Sequence, residues 1–391
     1  MNIIFLTDYY YPVIKSGSVI MGDLANEMIN QGHSITVLTF DSNQEDKITI
    51  DNKDNLKIIR IKTQLRKMGM VGRLISEMSY SLKLIKAFEG MDDSLISYDG
   101  VICFSPSIFY GDAINFIRKR YNTKAYLICR DIFPKWAIDS GVLKKGPLYW
   151  YFKYIEKKLY NSIDFIGIES KFDLDYFLKY LEKEKIEVLD NWGTKHELIH
   201  DLPSSDVFDN DKVNILYGGN MAEAQDLYSL LDLIDDSILE SVGRITLLGS
   251  GHQLESIKKL LAKKNYRNVV ILPEVDNKTY LSILSKADVG LVSLNKGLKS
   301  NNFPLKMMGY LQQGKPILAS VNKNNEIIEL INQQNIGLVS IAGDAKSLNK
   351  NLSLILNNDE LRKAQGINGL KLFNQRFTVD KAVEKIIQKI S

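Results

Sequence analysis

The chain has 391 residues, enough for two to three domains, and its 50 basic against 47 acidic residues give a formal charge of +3. With 45% hydrophobic and 25% charged residues, the composition excludes a disordered, collagen-like or coiled-coil chain. The near balance of charge disfavours a dedicated nucleic-acid binder, and the two cysteines lie inside apolar runs, which disfavours a disulfide framework or a zinc site.

Short apolar runs alternate with amphipathic helical stretches from the N-terminus onward. The runs in the first half cover residues 3–6, 35–40, 56–61, 101–104, 125–129, 163–168 and 186–189. Apolar strands separated by helices are typical of a parallel sheet that is covered on both faces. The sequence therefore predicts a doubly wound, Rossmann-like α/β domain over residues 1–195.

A polar segment without clear periodicity follows, and we interpret residues 196–212 as a linker. A second series of apolar runs covers 213–217, 244–248, 269–272, 289–293, 316–320 and 337–340. These runs predict a second Rossmann-like domain over 213–374. Residues 375–391 are expected to form a C-terminal helix that packs toward the first domain. Because ligands bind at the carboxyl ends of parallel strands, we expect a site in a cleft between the two domains.

Targeting signals are not evident in the sequence. The N-terminus lacks the basic region and cleavage site of a signal peptide, and no run reaches the roughly 18 apolar residues that span a bilayer. We therefore expect a cytoplasmic protein.

Three residues of the first domain are candidates for ligand binding. Gly17 precedes a predicted helix whose N-terminus could hold an anion, although a plain strand-to-helix turn explains it equally well. Arg130 and Asp131 follow the run 125–129 and could stabilise charge on a leaving group and accept hydrogen bonds from sugar hydroxyls. A surface ion pair is the alternative interpretation of this pair.

Glycine-rich loops follow the strands of the second domain, where the main chain could approach a diphosphate or a nucleotide. The candidate nucleotide-binding residues in these loops are Gly218, Gly219, Asn220, Gln225, Gly249, Ser250, Gly251 and Glu274. The segment with Pro304, Leu305 and Lys306 completes the set. Pro304 suits the first turn of a helix, which would bring the Lys306 cation near a positive helix N-terminus and favour phosphate.

The order of these features over essentially the whole chain resembles the retaining glycosyltransferases of family 4, which have the two-domain GT-B architecture. The motifs GNMxxAQ at 219–225 and FPxKxxxYLxxGKPI at 303–317 are similar to those of bacterial L-N-acetylfucosamine transferases of O-antigen and capsule assembly. The resemblance implies a nucleotide-sugar donor held mainly by the second domain, an acceptor held mainly by the first, retention of configuration and no metal.

Several positions depart from the usual family pattern. Asn220 and Gln225 stand where the family usually has Arg and Lys, Asn301 and Gly309 where it usually has two Glu residues, and Arg130 where it usually has His. We interpret these changes as a variant donor site in which Lys306 supplies the cation for the diphosphate. Asp173 and Asp175 form a D-x-D sequence, but acids in the first turns of a helix are explained by the helix dipole.

Basic residues without acidic neighbours suggest contact with an anionic membrane surface. They are Lys57, Arg60, Arg66, Lys67 and Arg73, and Trp150 lies in a second segment rich in lysines and aromatics. A solvated basic face is the alternative. The resemblance favours membrane contact, since it implies a polyprenyl-linked acceptor at the cytoplasmic face of the inner membrane.

The sequence thus predicts a retaining glycosyltransferase that moves an N-acetylated deoxyhexose from UDP to a polyprenyl-diphosphate-linked saccharide. The proposed catalytic residues are Arg130, Asp131 and Lys306. A non-hydrolysing UDP-sugar 2-epimerase and a catalytically silent nucleotide-sugar-binding partner remain alternatives. A nicotinamide dehydrogenase is less favoured, because the Gly pattern of residues 16–22 is incomplete.

Overall fold

The computed structural model describes residues 1–13, 15–63, 76–90, 97–139, 141–193, 207–209, 211–240, 242–298 and 303–391. The chain divides into two compact units. The first consists of Met1–Asp190 with Val379–Ser391, and the second of Asn191–Thr378. Most of the predicted linker, 196–212, lies outside the described residues.

The first unit is built on a sheet of order β3-β4-β2-β1-β5-β6-β7-β8. Its strands are β1 (Asn2–Leu6), β2 (Ser34–Asp41), β3 (Ile48–Lys53), β4 (Leu56–Lys62), β5 (Gly100–Phe104), β6 (Lys124–Cys129), β7 (Phe165–Ile168) and β8 (Ile186–Val188). All neighbours run parallel except β3, which pairs antiparallel with β4 at the sheet edge. The apolar runs predicted each of these strands except β3, whose residues are mostly exposed.

Helices flank this sheet as the alternation predicts. They are α1 (Ser16–Asn30), α2 (Tyr80–Glu89), α3 (Gly111–Tyr121), α4 (Lys135–Asp139), α5 (Pro147–Tyr160), α6 (Leu174–Phe177) and the C-terminal helix α14 (Val379–Ile390). The apolar face of α14 packs against α1 and β6. Gly100 accommodates Ile390 there, because a Cβ on this glycine would lie 2.7 Å from the Ile390 Cδ1 atom. The last helix of the chain therefore belongs to the first unit.

The second unit contains a parallel sheet of order β11-β10-β9-β12-β13-β14. The strands are β9 (Val213–Gly218), β10 (Gly243–Leu248), β11 (Val269–Leu272), β12 (Val289–Ser293), β13 (Ile317–Val321) and β14 (Gly337–Ile341). The helices are α7 (Leu227–Leu233), α8 (Leu254–Lys264), α9 (Asn277–Lys286), α10 (Lys306–Gln312), α11 (Glu326–Gln334), α12 (Ala345–Asn357) and α13 (Asp359–Arg376). The strand order reverses between β9 and β12, which is where an open parallel sheet binds its ligand.

Candidate functional site

The loop after β9 and the start of α10 meet at this reversal point. Lys306 is the first residue of α10, and its ammonium Nζ lies 3.6 Å from the centre of the Tyr217 ring. Tyr217 is the last residue but one of β9. The side chain of Lys306 also reaches the adjacent turn, since a Cβ on Gly219 would lie 3.4 Å from the same Nζ. The Lys306 ammonium thus lies beside the main chain of Gly219, and its role in donor binding stays a prediction.

The protonation of Lys306 is strongly perturbed. Burial lowers the pKa of the ammonium from its usual value to about 7, and no charged neighbour among the described residues opposes this shift. The Tyr217 ring is the cation's neighbour, and a ring face provides only partial compensation for lost water. A desolvated cation without a counterion is suited to bind an anion, and binding would restore its ordinary basicity.

The glycine-rich loops pack against each other, main chain on main chain. Gly249 has φ +143°, and a Cβ on it would lie 2.1 Å from the carbonyl oxygen of Gly219. Gly251 has φ +148°, and its Cβ would lie 2.3 Å from the carbonyl oxygen of Met221. The amide of Met221 in turn donates to the Ser250 carbonyl over 2.7 Å. The close packing of the two loops therefore requires glycine at both positions, whether or not a ligand also approaches the main chain there.

Asn220 and Gln225 lie in the loop that joins β9 to α7. The Tyr217 hydroxyl donates to the Asn220 carbonyl over 2.5 Å and fixes the turn. The Ser293 hydroxyl, at the end of β12, donates to the Gln225 carbonyl over 2.5 Å. The side-chain Oε1 of Gln225 is buried and has no hydrogen-bond partner in the described part of the chain. A buried acceptor of this kind is available to a hydroxyl or amide donor of a ligand.

The remaining donor-site candidates follow the neighbouring strands. The Ser250 hydroxyl donates to the Glu274 carboxylate over 3.0 Å, which joins the loops after β10 and β11. Leu305 caps α10, and the Pro304 carbonyl accepts from the amide of Met307 over 2.9 Å. Pro304 therefore comes just before the helix, not inside its first turn. Of the two expected Glu positions, 301 lies outside the described residues, and Gly309 lies on α10 with Leu284 against it.

Arg130 is engaged in hydrogen bonds within the first unit, and its catalytic role stays a prediction. Its guanidinium donates to the carbonyl oxygens of Leu189 over 2.7 Å and Asp190 over 3.1 Å. Burial lowers the pKa of this group, and nearby Glu169 opposes the shift. Arg130 therefore ties the end of β6 to the segment after β8. The sequence could not show this, because spacing does not fix the direction in which a long side chain points.

Asp131, by contrast, is exposed at the end of β6. Desolvation by the surrounding protein raises the pKa of its carboxyl group, although the positive charge of Arg130 opposes that shift. Its catalytic role stays a prediction.

Gly17 has a packing explanation, because its Cβ would lie 2.9 Å from the Phe104 ring. Arg60 is also occupied: it pairs with Asp51 across the β3–β4 hairpin and donates to the Tyr11 carbonyl over 2.7 Å. Arg60 therefore has partners within the first unit, and its role at a membrane stays a prediction. Lys57 lies on β4, opposite Asn52 of β3. The other basic residues of that segment, Arg66, Lys67 and Arg73, lie outside the described residues.

Helix α5 presents aromatic side chains to solvent. Trp150 and Tyr154 are each 64% exposed, one helical turn apart. The lysines of the helix are less free than the sequence indicates. Lys153 pairs with the buried Glu156, and Lys158 pairs with Asp112 over 2.7 Å. The aromatic part of the predicted membrane surface is thus exposed, whereas much of its charge is neutralised within the unit.

Tyr217 was not among the residues predicted from the sequence. An aromatic residue directly before a Gly-Gly pair, at the end of a central strand, is the signal that could have indicated it.

No helix in the described part of the chain is long and apolar enough to cross a membrane. The same residues contain no cluster of three His, Cys, Asp or Glu side chains with the geometry of a metal site.

Residues 201–372 match the family model for glycosyl transferases group 1. The probable glycosyltransferase WbjE of Pseudomonas aeruginosa is 24% identical over 233 residues, which are 56% of this chain and 57% of that protein. The chain spans about half the length of the curated relatives it matches.

Two solved structures resemble the fold over nearly its full length. The trehalose-6-phosphate structure from E. coli bound with UDP-2-fluoro glucose has a TM-score of 0.72 at 12% identity, covering 99% of this chain and 98% of that one. WaaG, a glycosyltransferase involved in lipopolysaccharide biosynthesis, has a TM-score of 0.67 at 14% identity, covering 100% and 99%. These likenesses confirm the predicted GT-B fold.

Proposed function

We propose that this chain is a retaining, metal-independent glycosyltransferase that takes a sugar from a UDP-linked donor. The observation that carries the proposal is the desolvated Lys306 ammonium, which lies at the strand-order reversal beside Gly219 without a carboxylate partner in the described residues. A bound diphosphate would supply the negative charge that the Lys306 ammonium lacks among the described residues. The match of residues 201–372 to the group 1 model and the UDP-sugar analogue in the similar E. coli structure support a nucleotide sugar as its source.

The neighbouring residues suggest how such a donor would bind. The diphosphate would lie against Lys306 and the Gly218–Gly219 turn, with the nucleoside toward Ser250 and Glu274 on the β10–β11 side. Lys306 would then stabilise the charge that develops on the leaving UDP as the bond from the sugar to the β-phosphate breaks. Gln225 Oε1 would accept a hydrogen bond from the donor.

The acceptor belongs to the same proposal. A polyprenyl-diphosphate-linked saccharide, used in O-antigen or capsule assembly, is the acceptor that the sequence resemblance implies. An N-acetylated deoxyhexose such as L-N-acetylfucosamine is the proposed sugar. WaaG's role in lipopolysaccharide biosynthesis supports the surface-polysaccharide assignment. The exposed Trp150 and Tyr154 would rest on the cytoplasmic face of the membrane, where such an acceptor lies.

Calorimetric titration with UDP, GDP, dTDP and NAD tests the donor site. We expect selective UDP binding that weakens by about 30-fold or more in Lys306→Ala, because a charge-assisted contact in a desolvated site is lost. Lys315→Ala is the matched control. Lys315 is a second partly desolvated lysine in the same unit, and it donates to the Ser285 carbonyl over 2.8 Å.

Three outcomes would contradict this proposal. Preference for NAD would favour a dehydrogenase. Turnover of UDP-sugar to its 2-epimer without acceptor would favour an epimerase. Tight UDP-sugar binding without transfer to any lipid-linked saccharide would favour a silent binding partner. Unchanged UDP affinity in Lys306→Ala would show that this lysine does not contribute to donor binding.

A further inference from the structure

A fully buried tyrosine lies between the two central strands of the second unit. Tyr310 is on α10, one turn after Lys306, and is 0% exposed. Its hydroxyl accepts a hydrogen bond from the amide of Gly218 over 3.3 Å. The same oxygen lies 3.1 Å from the Leu216 carbonyl of β9 and 3.3 Å from the Leu291 carbonyl of β12, and it can donate its single proton to either. Tyr310 is therefore within hydrogen-bond distance of main chain on both sides of the strand-order reversal.

The Tyr310 hydroxyl lies where the pairing of β9 with β12 stops. These strands pair at only two positions, the last of which joins Gly290 to Leu216. The buried amide of Gly218, farther along β9, has the Tyr310 hydroxyl as its hydrogen-bond partner. Because an unpaired buried amide is unfavourable, we expect the main chain at Gly218 to shift when that hydroxyl is removed.

Two glycines make room for Tyr310 and for a second tyrosine beside it. A Cβ on Gly290 would overlap the Tyr310 ring, and a Cβ on Gly218 would overlap the ring of Tyr280, which lies on α9. The Tyr280 hydroxyl hydrogen-bonds to Tyr310, so the two side chains support each other against the end of β9. Burial raises the pKa of both hydroxyls, that of Tyr280 to about 12, so both stay protonated at neutral pH.

The turn that Tyr310 contacts is also the turn that Lys306 approaches. Helix α10 reaches it at two points: the Tyr310 hydroxyl binds the Gly218 amide, and the Lys306 Nζ lies 3.4 Å from the position of a Cβ on Gly219. Lys306 and Tyr310 are neighbours on one face of the helix, since they are one turn apart. The position of the Gly218–Gly219 turn relative to the Lys306 ammonium therefore depends on the Tyr310 hydroxyl.

We propose that Tyr310 is a positioning residue of the donor site. Its hydroxyl, supported by Tyr280, holds the Gly218–Gly219 main chain at the distance from Lys306 at which both contact one diphosphate. Because Tyr310 is fully buried, it acts through the turn and not by contact with the donor. This role rests on the proposed function, because it takes the anion beside Lys306 to be the diphosphate of a nucleotide sugar.

Titration of Tyr310→Phe with UDP tests this role, because the variant keeps the ring and removes only the hydroxyl. We expect UDP affinity to fall by about fivefold to tenfold. Uridine affinity, measured by saturation-transfer NMR, should change by less than about twofold, since uridine has no diphosphate. Tyr266→Phe is the matched control: the Tyr266 hydroxyl donates to the Leu231 and Ile234 carbonyls of the same unit, where α7 and α8 end. It should leave both affinities unchanged.

A double-mutant cycle separates positioning from a purely structural role. In the Lys306→Ala protein, Tyr310→Phe should weaken UDP binding by less than about twofold, because no ammonium remains to be aligned with the turn. A loss as large as in the wild-type background would overturn the proposal. Unchanged UDP affinity in Tyr310→Phe, or an equal loss of UDP and uridine affinity, would overturn it as well.

Circular dichroism establishes whether Tyr310→Phe folds. If it does not, Tyr280→Phe decides: we expect about a threefold loss of UDP affinity, and unchanged affinity would overturn the proposal. UDP binding that is absent, or that does not depend on Lys306, would refute the proposed donor site. UDP binding that depends on Lys306 but not on Tyr310 would refute the positioning role alone, so the two failures are distinguishable.

Discussion

Lys306 destabilises the unliganded protein for the same reason that it suits a diphosphate. In the unfolded chain its pKa is the ordinary value of a lysine, about 10.4, whereas in the folded protein it is about 7. Between these values the unfolded chain binds more protons, so this residue makes stability rise with pH. Below pH 7 the ammonium is charged in both states, and the full penalty of its burial is present. Lys306→Met should therefore raise the melting temperature by about 2 °C at pH 6 and change it little near pH 10.

Proton uptake on binding a UDP-sugar is the sharper test at this residue. At pH 8 the free protein holds Lys306 mostly neutral, and a bound diphosphate would recharge it, so binding should take up about one proton. At pH 6 the uptake should fall below about 0.2, since the lysine is already charged. Calorimetry in two buffers of different ionisation enthalpy measures this number.

Lys306→Arg provides the control for that experiment. Its guanidinium stays charged throughout this pH range, so it should bind UDP-sugar with no proton uptake. Equal uptake in the wild-type and Arg proteins would mean that another group titrates.

Helix α5 concentrates exposed aromatic surface on one element. Trp150 and Tyr154 share a face, and Leu148 near the start of the helix is 47% exposed. Lys144 and Lys145 precede the helix in a stretch without acids. Aromatic rings beside lysines suit the interface of an anionic bilayer, where each added cation contributes on the order of 1 kcal/mol.

Vesicle sedimentation tests whether helix α5 binds a membrane. The double variant Trp150→Ala, Tyr154→Ala should bind vesicles that contain phosphatidylglycerol about tenfold more weakly, because two interfacial rings are removed. Binding should also weaken with added salt. Phe172→Ala is a fitting control, since this ring is 46% exposed outside α5. An equal loss of vesicle binding in the control, or no loss in the double variant, would contradict membrane binding by α5.

The sequence predicted elements better than side-chain directions. Continuous apolar runs indicated the buried strands, whereas β3 was missed because both its faces are largely exposed and carry no hydrophobic pattern. Lys306 was predicted because its position follows from a short-range pattern, Pro304 at a helix start. The hydrogen bonds of Arg130 could not be predicted, because its partners, the carbonyls of Leu189 and Asp190, lie about 60 residues away.

At the scale of the whole molecule, the first unit depends on the end of the chain. The buried side chains of α14 include Val383 and Ile386, both fully enclosed. Ile386→Ala should destabilise the first unit by about 2–4 kcal/mol, because it opens a cavity in a packed face.

Scanning calorimetry with and without UDP measures this effect. The transition that UDP does not shift should move to lower temperature, and the UDP-shifted transition of the second unit should move much less. Lys381→Ala, an exposed position on the same helix, should leave both in place. An equal shift of both transitions in Ile386→Ala would contradict the assignment of α14 to the first unit.

The return of α14 to the first unit sets an order for synthesis. The 188 residues of Asn191–Thr378 are translated between the two parts of that unit, which takes roughly 10–40 s at about 5–20 residues per second. Throughout this time the groove beside α1 and β6 lacks its helix, and Gly100 lacks the Ile390 side chain that covers it. The nascent first unit therefore exposes an apolar groove until α14 leaves the ribosome, and a chaperone could bind the chain at that groove.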